Sequence, residues 1–159
     1  MVTTALSLIG DRATVLTHSR SSTVLAILSR AHALGKRIAV TCAESRPMLE
    51  GRTLATELAQ EGLAVELVVD AGVFALLTRV DLILVGGDSF SSAGLVNKIG
   101  TRGLAMAACQ EGVPFYACCT MDKCFSHPRL VRPERIEHPP TEVWDTPPPQ
   151  VRVINRYFD

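Results

Sequence analysis

Along most of the chain, short apolar runs alternate with stretches whose apolar residues recur at helical spacing. The runs predict strands at residues 13–17, 37–42, 64–69, 80–85 and 114–118. Each is nearly continuous in Val, Ile, Leu, Ala or Cys, the signature of strands covered on both faces. Helices are predicted at residues 22–34, 47–60, 71–77 and 101–111. In the first of these, Val24, Leu25, Leu28, Ala31 and Leu34 form one stripe. Gly35, Gly62 and Gly112 stand where C-terminal caps are wanted, and Pro47 suits a first helical turn. Strand and helix in strict alternation imply an α/β fold: a doubly wound, Rossmann-like, mostly parallel sheet.

The character changes from Met121. Seven of the nine prolines fall between Pro128 and Pro149, which rules out regular helix or central strand there. The expected organisation is therefore a Rossmann-like domain over residues 1–125 and a Pro-rich extended C-terminal arm over residues 126–159. Val131, Ile136, Val143 and Trp144 offer apolar anchors for the arm, on its own domain or on a partner. Residues 151–154 read as a short edge strand.

Chemistry gathers after the fourth strand. Residues 80–85 run into Gly86-Gly87-Asp88-Ser89, and Gly94-Leu95-Val96-Asn97-Lys98-Ile99-Gly100-Thr101 then leads into a helix. Helix N-termini carry unpaired N–H groups and partial positive charge, which suits phosphate. Asp88 stands at the carboxyl end of a strand, where open parallel sheets meet their ligands. Together they suggest a phosphorylated ligand whose hydroxyls or reacting carbons face the acid.

Four motifs in fixed order carry a family resemblance: Thr17-His18-Ser19; Glu44-Ser45-Arg46-Pro47 with Glu50-Gly51; Gly86-Gly87-Asp88; and Asn97-Lys98-Ile99-Gly100-Thr101. The set resembles the C-terminal domain shared by the regulatory subunits of eukaryotic translation initiation factor 2B, methylthioribose-1-phosphate isomerase and ribose-1,5-bisphosphate isomerase. The match runs from about Leu8 to Phe125 and resumes weakly at Glu142-Val143-Trp144 and from Asn155 to Asp159. The resemblance implies a site on the loop after the first strand, with Thr17, His18, Ser19, Arg20 and Ser21 as ligand contacts. Helix capping by Ser21 or Ser22 is the alternative there. It also implies phosphate contact by Arg46, whose guanidinium can bind bidentately; a surface ion pair with Glu44 or Glu50 is the alternative. Asn97 and Lys98 are expected on phosphate or sugar oxygens, although a solvated loop lysine is the plainer alternative for Lys98. Asp88 resembles the catalytic aspartate of the isomerases and is the catalytic candidate if the chain is an enzyme; a turn aspartate is the alternative.

One departure bears on activity. In the two isomerases the residue matching Ser19 is a cysteine, an acid/base group. A thiol titrates near ~8.5, whereas an unactivated serine hydroxyl is a far weaker acid. The expectation is a binding module like the initiation factor 2B regulatory subunits, with a pocket for a sugar phosphate or nucleoside monophosphate. The alternative is an aldose–ketose isomerase acting through Asp88, with Cys119 as a relocated thiol. The family also has an N-terminal helical domain, and here one short helix precedes the sheet.

Bulk properties narrow the partners. Acidic and basic residues balance at 16 each, so nothing calls for nucleic acid or an anionic membrane. No apolar run approaches the ~20 residues that span a bilayer. Five cysteines, odd in number and mostly in apolar patterns, favour a reducing cytoplasm. Cys119, Cys124 and His127 have a spacing that matches no common zinc pattern, and no metal is expected. Neither GxGxxG nor GxxxxGK[ST] occurs, and no cofactor is expected. The expected partners are a phosphorylated small molecule, a second copy in a symmetric homodimer, and a separate chain supplying the N-terminal helical domain. Trp144, Tyr157 and Phe158 in the arm would lie at or beside the dimer interface.

Overall fold

The computed structural model describes residues 2–126 and 136–159. Its main sheet is built from β1 (Thr14–His18), β2 (Ala39–Ala43), β3 (Ala64–Val68), β4 (Leu82–Val85) and, after a separate antiparallel hairpin of β5 (Ser89–Ser91) and β6 (Gly94–Val96), β7 (Phe115–Ala117). The spatial order is β3-β2-β1-β4-β7, all parallel.

The apolar runs have a physical purpose. With period two, alternate residues of one strand enter different cores. On β4, Leu82 and Leu84 pack into one cluster and Ile83 and Val85 into the other. The first cluster is closed by α1 (Val2–Leu8), α2 (Ser22–Ala33) and α3 (Glu50–Gln60), through Ala5, Ile27, Leu28, Leu54 and Leu58. The second is closed by a 3-10 helix, Asp70–Arg79, and by α4 (Thr101–Glu111), through Val73, Leu77, Leu104 and Ala108. Fully buried Ile27 and Leu28 each contribute roughly 1.5–3 kcal/mol of burial.

Several expectations shift. The buried stripe of α2 is Val24, Ile27, Leu28 and Ala31, while Leu34 is exposed. The helix expected from residue 47 begins at Glu50; Pro47 follows a cis peptide bond and lies in a turn ahead of it. Leu49 takes a left-handed φ of 59° at that helix start, so the chain bends sharply before it winds. The α-helix expected at 71–77 is a 3-10 helix. Gly94, Leu95 and Val96, expected in a loop, form β6. No strand forms at 151–154.

Backbone pairing instead falls on the last residues. The Ile99 N–H donates to the Tyr157 carbonyl at 2.8 Å, and Asn97 and Asp159 exchange N–H···O bonds at 3.2 and 3.0 Å. Asn155 donates to the Pro139 carbonyl at 2.9 Å and to Glu142 at 2.8 Å, and Glu137 pairs with Arg156. The described part of the expected arm thus packs on its own domain. Val131, offered above as an anchor, lies outside the described residues, as does His127. Among the described residues no helix is long and apolar enough to cross a membrane.

Candidate functional site

The strand order reverses between β1 and β4. From β1 the chain winds out through β2 to β3, then crosses back to β4 and on to β7. Connections leaving the two central strands depart to opposite faces, and a crevice opens at their carboxyl ends. A cleft of about 320 Å³ lies there. His18 at the end of β1 and residues 19–22 after it form one wall and residues 86–88 after β4 another; Asn97 and Lys98, Glu50, Lys123, Tyr157 and Phe158 complete it. Gly86 is required by close approach: a Cβ there would stand 2.6 Å from the Cβ of Ser21.

Lys98 is the central charge. Its side chain is only 2 % exposed, so it is not a solvated loop lysine. Its Nζ donates to Glu50 Oε1 at 2.9 Å and lies 3.4 Å from the centre of the Tyr157 ring. Burial pulls its pKa below the ordinary lysine value, while the Glu50 carboxylate opposes that shift. The other Glu50 oxygen, Oε2, is buried and has no hydrogen-bond partner among the described residues. A buried carboxylate oxygen without a donor is costly, and a ligand hydroxyl or ammonium would satisfy it. Lys123 adds a second ammonium, which donates to the Gly87 carbonyl at 2.8 Å. Asp88 is held by its backbone N–H on the Val96 carbonyl at 2.9 Å. Desolvation raises its pKa against the opposing pull of Lys123 and Lys98.

The loop after β1 is shaped by strain and hydrogen bonding. Ser19 takes a left-handed φ of 63°, and Ser45, on the neighbouring loop, one of 65°. The two are tied by the Ser19 N–H donating to Ser45 Oγ at 2.7 Å. Ser21 caps α2 by accepting from the Val24 N–H at 3.4 Å, so cap and cleft wall coincide in one residue. His18 lines the cleft, yet its ring nitrogens are engaged: Nε2 meets the Ile99 carbonyl at 2.7 Å, and Nδ1 faces Ser45 Oγ at 3.4 Å and Asp70 at 3.8 Å. Arg20 lines the rim, with its guanidinium on Glu57 at 2.8 Å. Asn97 is buried and donates through Nδ2 to Thr101 Oγ1 at 3.0 Å.

Two expected contacts do not reach the cleft. Arg46 is exposed and directs its guanidinium to the Val143 carbonyl at 2.9 Å, while its own N–H is held by Asp70 at 2.7 Å. The turn that precedes α3 carries it away, and neither Glu44 nor Glu50 is its partner: Glu44 pairs with Arg52 and Glu50 with Lys98. Thr17 is buried within β1, 1 % exposed, and does not line the cleft. The anion expected at the start of α4 is already supplied by the protein. Asp159 accepts from the Gly100 N–H at 2.7 Å and from the Arg102 N–H at 3.2 Å, so this helix start is capped internally.

With this geometry in view, the profile of the Initiation factor 2 subunit family matches the whole chain, residues 1–159. The chain belongs to the Initiation factor 2 subunit family. Ribose 1,5-bisphosphate isomerase of Archaeoglobus fulgidus is 42% identical over 67% of this chain and 34% of its own length. Methylthioribose-1-phosphate isomerase of Gemmatimonas aurantiaca is 36% identical over 97% of this chain and 48% of its own. The chain thus spans about a third to a half of these relatives. Among solved structures, the Pyrococcus horikoshii OT3 translation initiation factor eIF-2B matches with a TM-score of 0.85 at 34% identity, over 99% of this chain and 56% of that one.

Within this family member, three residues from separate motifs, Ser19, Asp88 and Lys98, meet in one cleft. Sequence reasoning did not single out Lys123, Tyr157 or Phe158 as cleft residues, and it offered Glu50 only as an ion-pair partner of Arg46. Glu50 lay inside a motif and was legible as a polar residue beside Gly51. Lys123 and Tyr157 stood in segments of irregular pattern, where no periodicity says which way a side chain faces. Cys119 packs behind Gly87 and does not line the cleft; burial and the neighbouring Cys124 raise its pKa. Among the described residues no cluster of His, Cys, Asp or Glu is arranged to hold a metal.

Proposed function

We propose that this member of the Initiation factor 2 subunit family binds a sugar phosphate or nucleoside monophosphate without converting it. The observation that carries the reading is the pairing of two ammonium groups, Lys98 and Lys123, with two carboxylates, Glu50 and Asp88, around one cleft. The ammonium groups suit one phosphate, and the carboxylates suit hydroxyl donors. Charge-assisted bonds of this kind are worth roughly 1.5–3 kcal/mol each. A single sugar carrying one phosphate presents both kinds of group.

Turnover is disfavoured by the loop after β1. Ser19 stands where the isomerases resembled here have cysteine, and Cys119, the nearest substitute, lies behind Gly87 with its thiol biased toward the protonated form. The second reading, an aldose–ketose isomerase, is favoured by the names of the relatives and by Asp88, whose raised pKa suits proton transfer. Calorimetry with ribose 5-phosphate and adenosine monophosphate, followed by NMR of each mixture for a ketose product, separates the readings. Binding without product supports the module. Ketose formation that disappears in Asp88→Asn establishes the enzyme, and heat-silent titrations with both compounds refute the site.

The protein is further proposed to work as a symmetric homodimer, the commonest closed assembly. Tyr157 and Phe158 serve their own cleft, so Trp144, 47% exposed, is the arm aromatic left for an interface. Light scattering at twice the chain mass is the expected result; a monomer at micromolar concentration refutes the homodimer.

A further inference from the structure

We infer that Tyr157 is the positioning residue for the Lys98 ammonium, and that it fixes which donor of Lys98 faces the cleft. The inference rests on the proposed phosphate site and adds a residue to it. Three side chains hold the Tyr157 ring in place. Lys98 Nζ lies 3.4 Å from its centre. His138 stacks on the ring at 4.6 Å between centroids, with the planes inclined by 23°. Phe158 meets the ring edge-on at 5.0 Å. The Tyr157 backbone is pinned beside its target, because its carbonyl accepts the Ile99 N–H at 2.8 Å, one residue beyond Lys98.

The geometry allots the donors of the ammonium. One N–H is spent on Glu50 at 2.9 Å, and one side of the ammonium is covered by the ring. A cation over an aromatic face is held by the ring quadrupole, more strongly when desolvated, as Lys98 is. What remains for a ligand is a single direction, so the lysine meets one phosphate oxygen rather than swinging freely on its four-carbon stem.

The test uses the full chain, inorganic phosphate and ribose 5-phosphate as probes, and the variants Tyr157→Phe and Tyr157→Leu. In the wild type the Lys98 Hε resonances should be shifted upfield by the ring current. Tyr157→Phe should keep that shift and the affinity for both probes. Tyr157→Leu should abolish the shift and weaken binding by about two- to thirtyfold, the span expected of a cation–π contact. If Tyr157→Leu does not fold, Tyr157→Phe decides: a lost shift or lost affinity would show that the hydroxyl, not the ring, is the working part, and overturn the inference. An unshifted Lys98 in the wild type, or unchanged affinity in a folded Tyr157→Leu, overturns it as well. Wild-type protein that binds neither probe sinks the phosphate site, while the Lys98 shift still judges the placement by Tyr157.

Discussion

Replacing Lys98 by Met removes the charge from the most enclosed ion pair of the cleft and keeps most of the stem volume. At 2.9 Å and an effective dielectric of about 20, the Lys98–Glu50 attraction is roughly 6 kcal/mol before desolvation is charged against it. Losing one partner of a buried pair costs about 3–5 kcal/mol, because the other is left unpaired. Glu50 is 20% exposed, so water repays part of that loss and the low end, about 3 kcal/mol, is expected for Lys98→Met. Glu50→Gln keeps an acceptor for the ammonium and should cost about 1.5 kcal/mol. The double variant should fall short of the sum by about 1–2 kcal/mol, since each change removes the same contact. Urea unfolding of all four proteins at neutral pH measures this. The pH dependence adds a signed check. Burial, the leading cause, lowers the Lys98 pKa from 10.5 in the folded state. Between the folded value and 10.5 the unfolded chain therefore binds more protons, and stability from this group rises as pH climbs through that window. Lys98→Met should lose that rise. A cost below about 1 kcal/mol with additive singles would refute the buried pair.

Asp88 titrates in the opposite sense: its folded pKa lies above 3.8, so the folded state holds the extra proton and stability declines as pH rises through the window. Asp88→Asn should gain stability relative to the wild type over that range in urea midpoints measured from acid to neutral pH; parallel curves would contradict the desolvation. Asp159→Ala removes the carboxylate from the start of α4 and should cost about 0.5–2 kcal/mol in thermal unfolding. Thiol labelling near pH 8 should modify exposed Cys109 first and leave Cys42, whose pKa burial pushes up to about 12, untouched until the chain unfolds. Early labelling of Cys42 would show that its core opens. Gly51→Ala should destabilise the fold by more than about 2 kcal/mol, as its Cβ would fall 1.7 Å from the Ala43 carbonyl oxygen.

The α/β class and the sheet were legible because their causes are local. A strand covered on both faces must be apolar throughout, so β1 to β4 and β7 stood out as runs, and helix spacing filled the gaps between them. Thr101–Glu111 is α4 with the bounds its pattern implied. Parallel strands also bring their carboxyl ends to one edge, so Ser19, Arg46, Asp88 and Lys98 are all expected at one cleft; Ser19, Asp88 and Lys98 line it and Arg46 does not. Tertiary structure alone settled where each charge is spent. Lys98 is matched to Glu50 across 48 positions of sequence, and the N-terminus of α4 to Asp159 across 59. Arg46 looked like a phosphate ligand beside its motif, but the Val143 carbonyl, 97 positions away, holds its guanidinium. Periodicity reports which face of an element is buried. It cannot report which donor and acceptor end within about 3 Å of each other, because that depends on how separate elements and an irregular C-terminal segment pack.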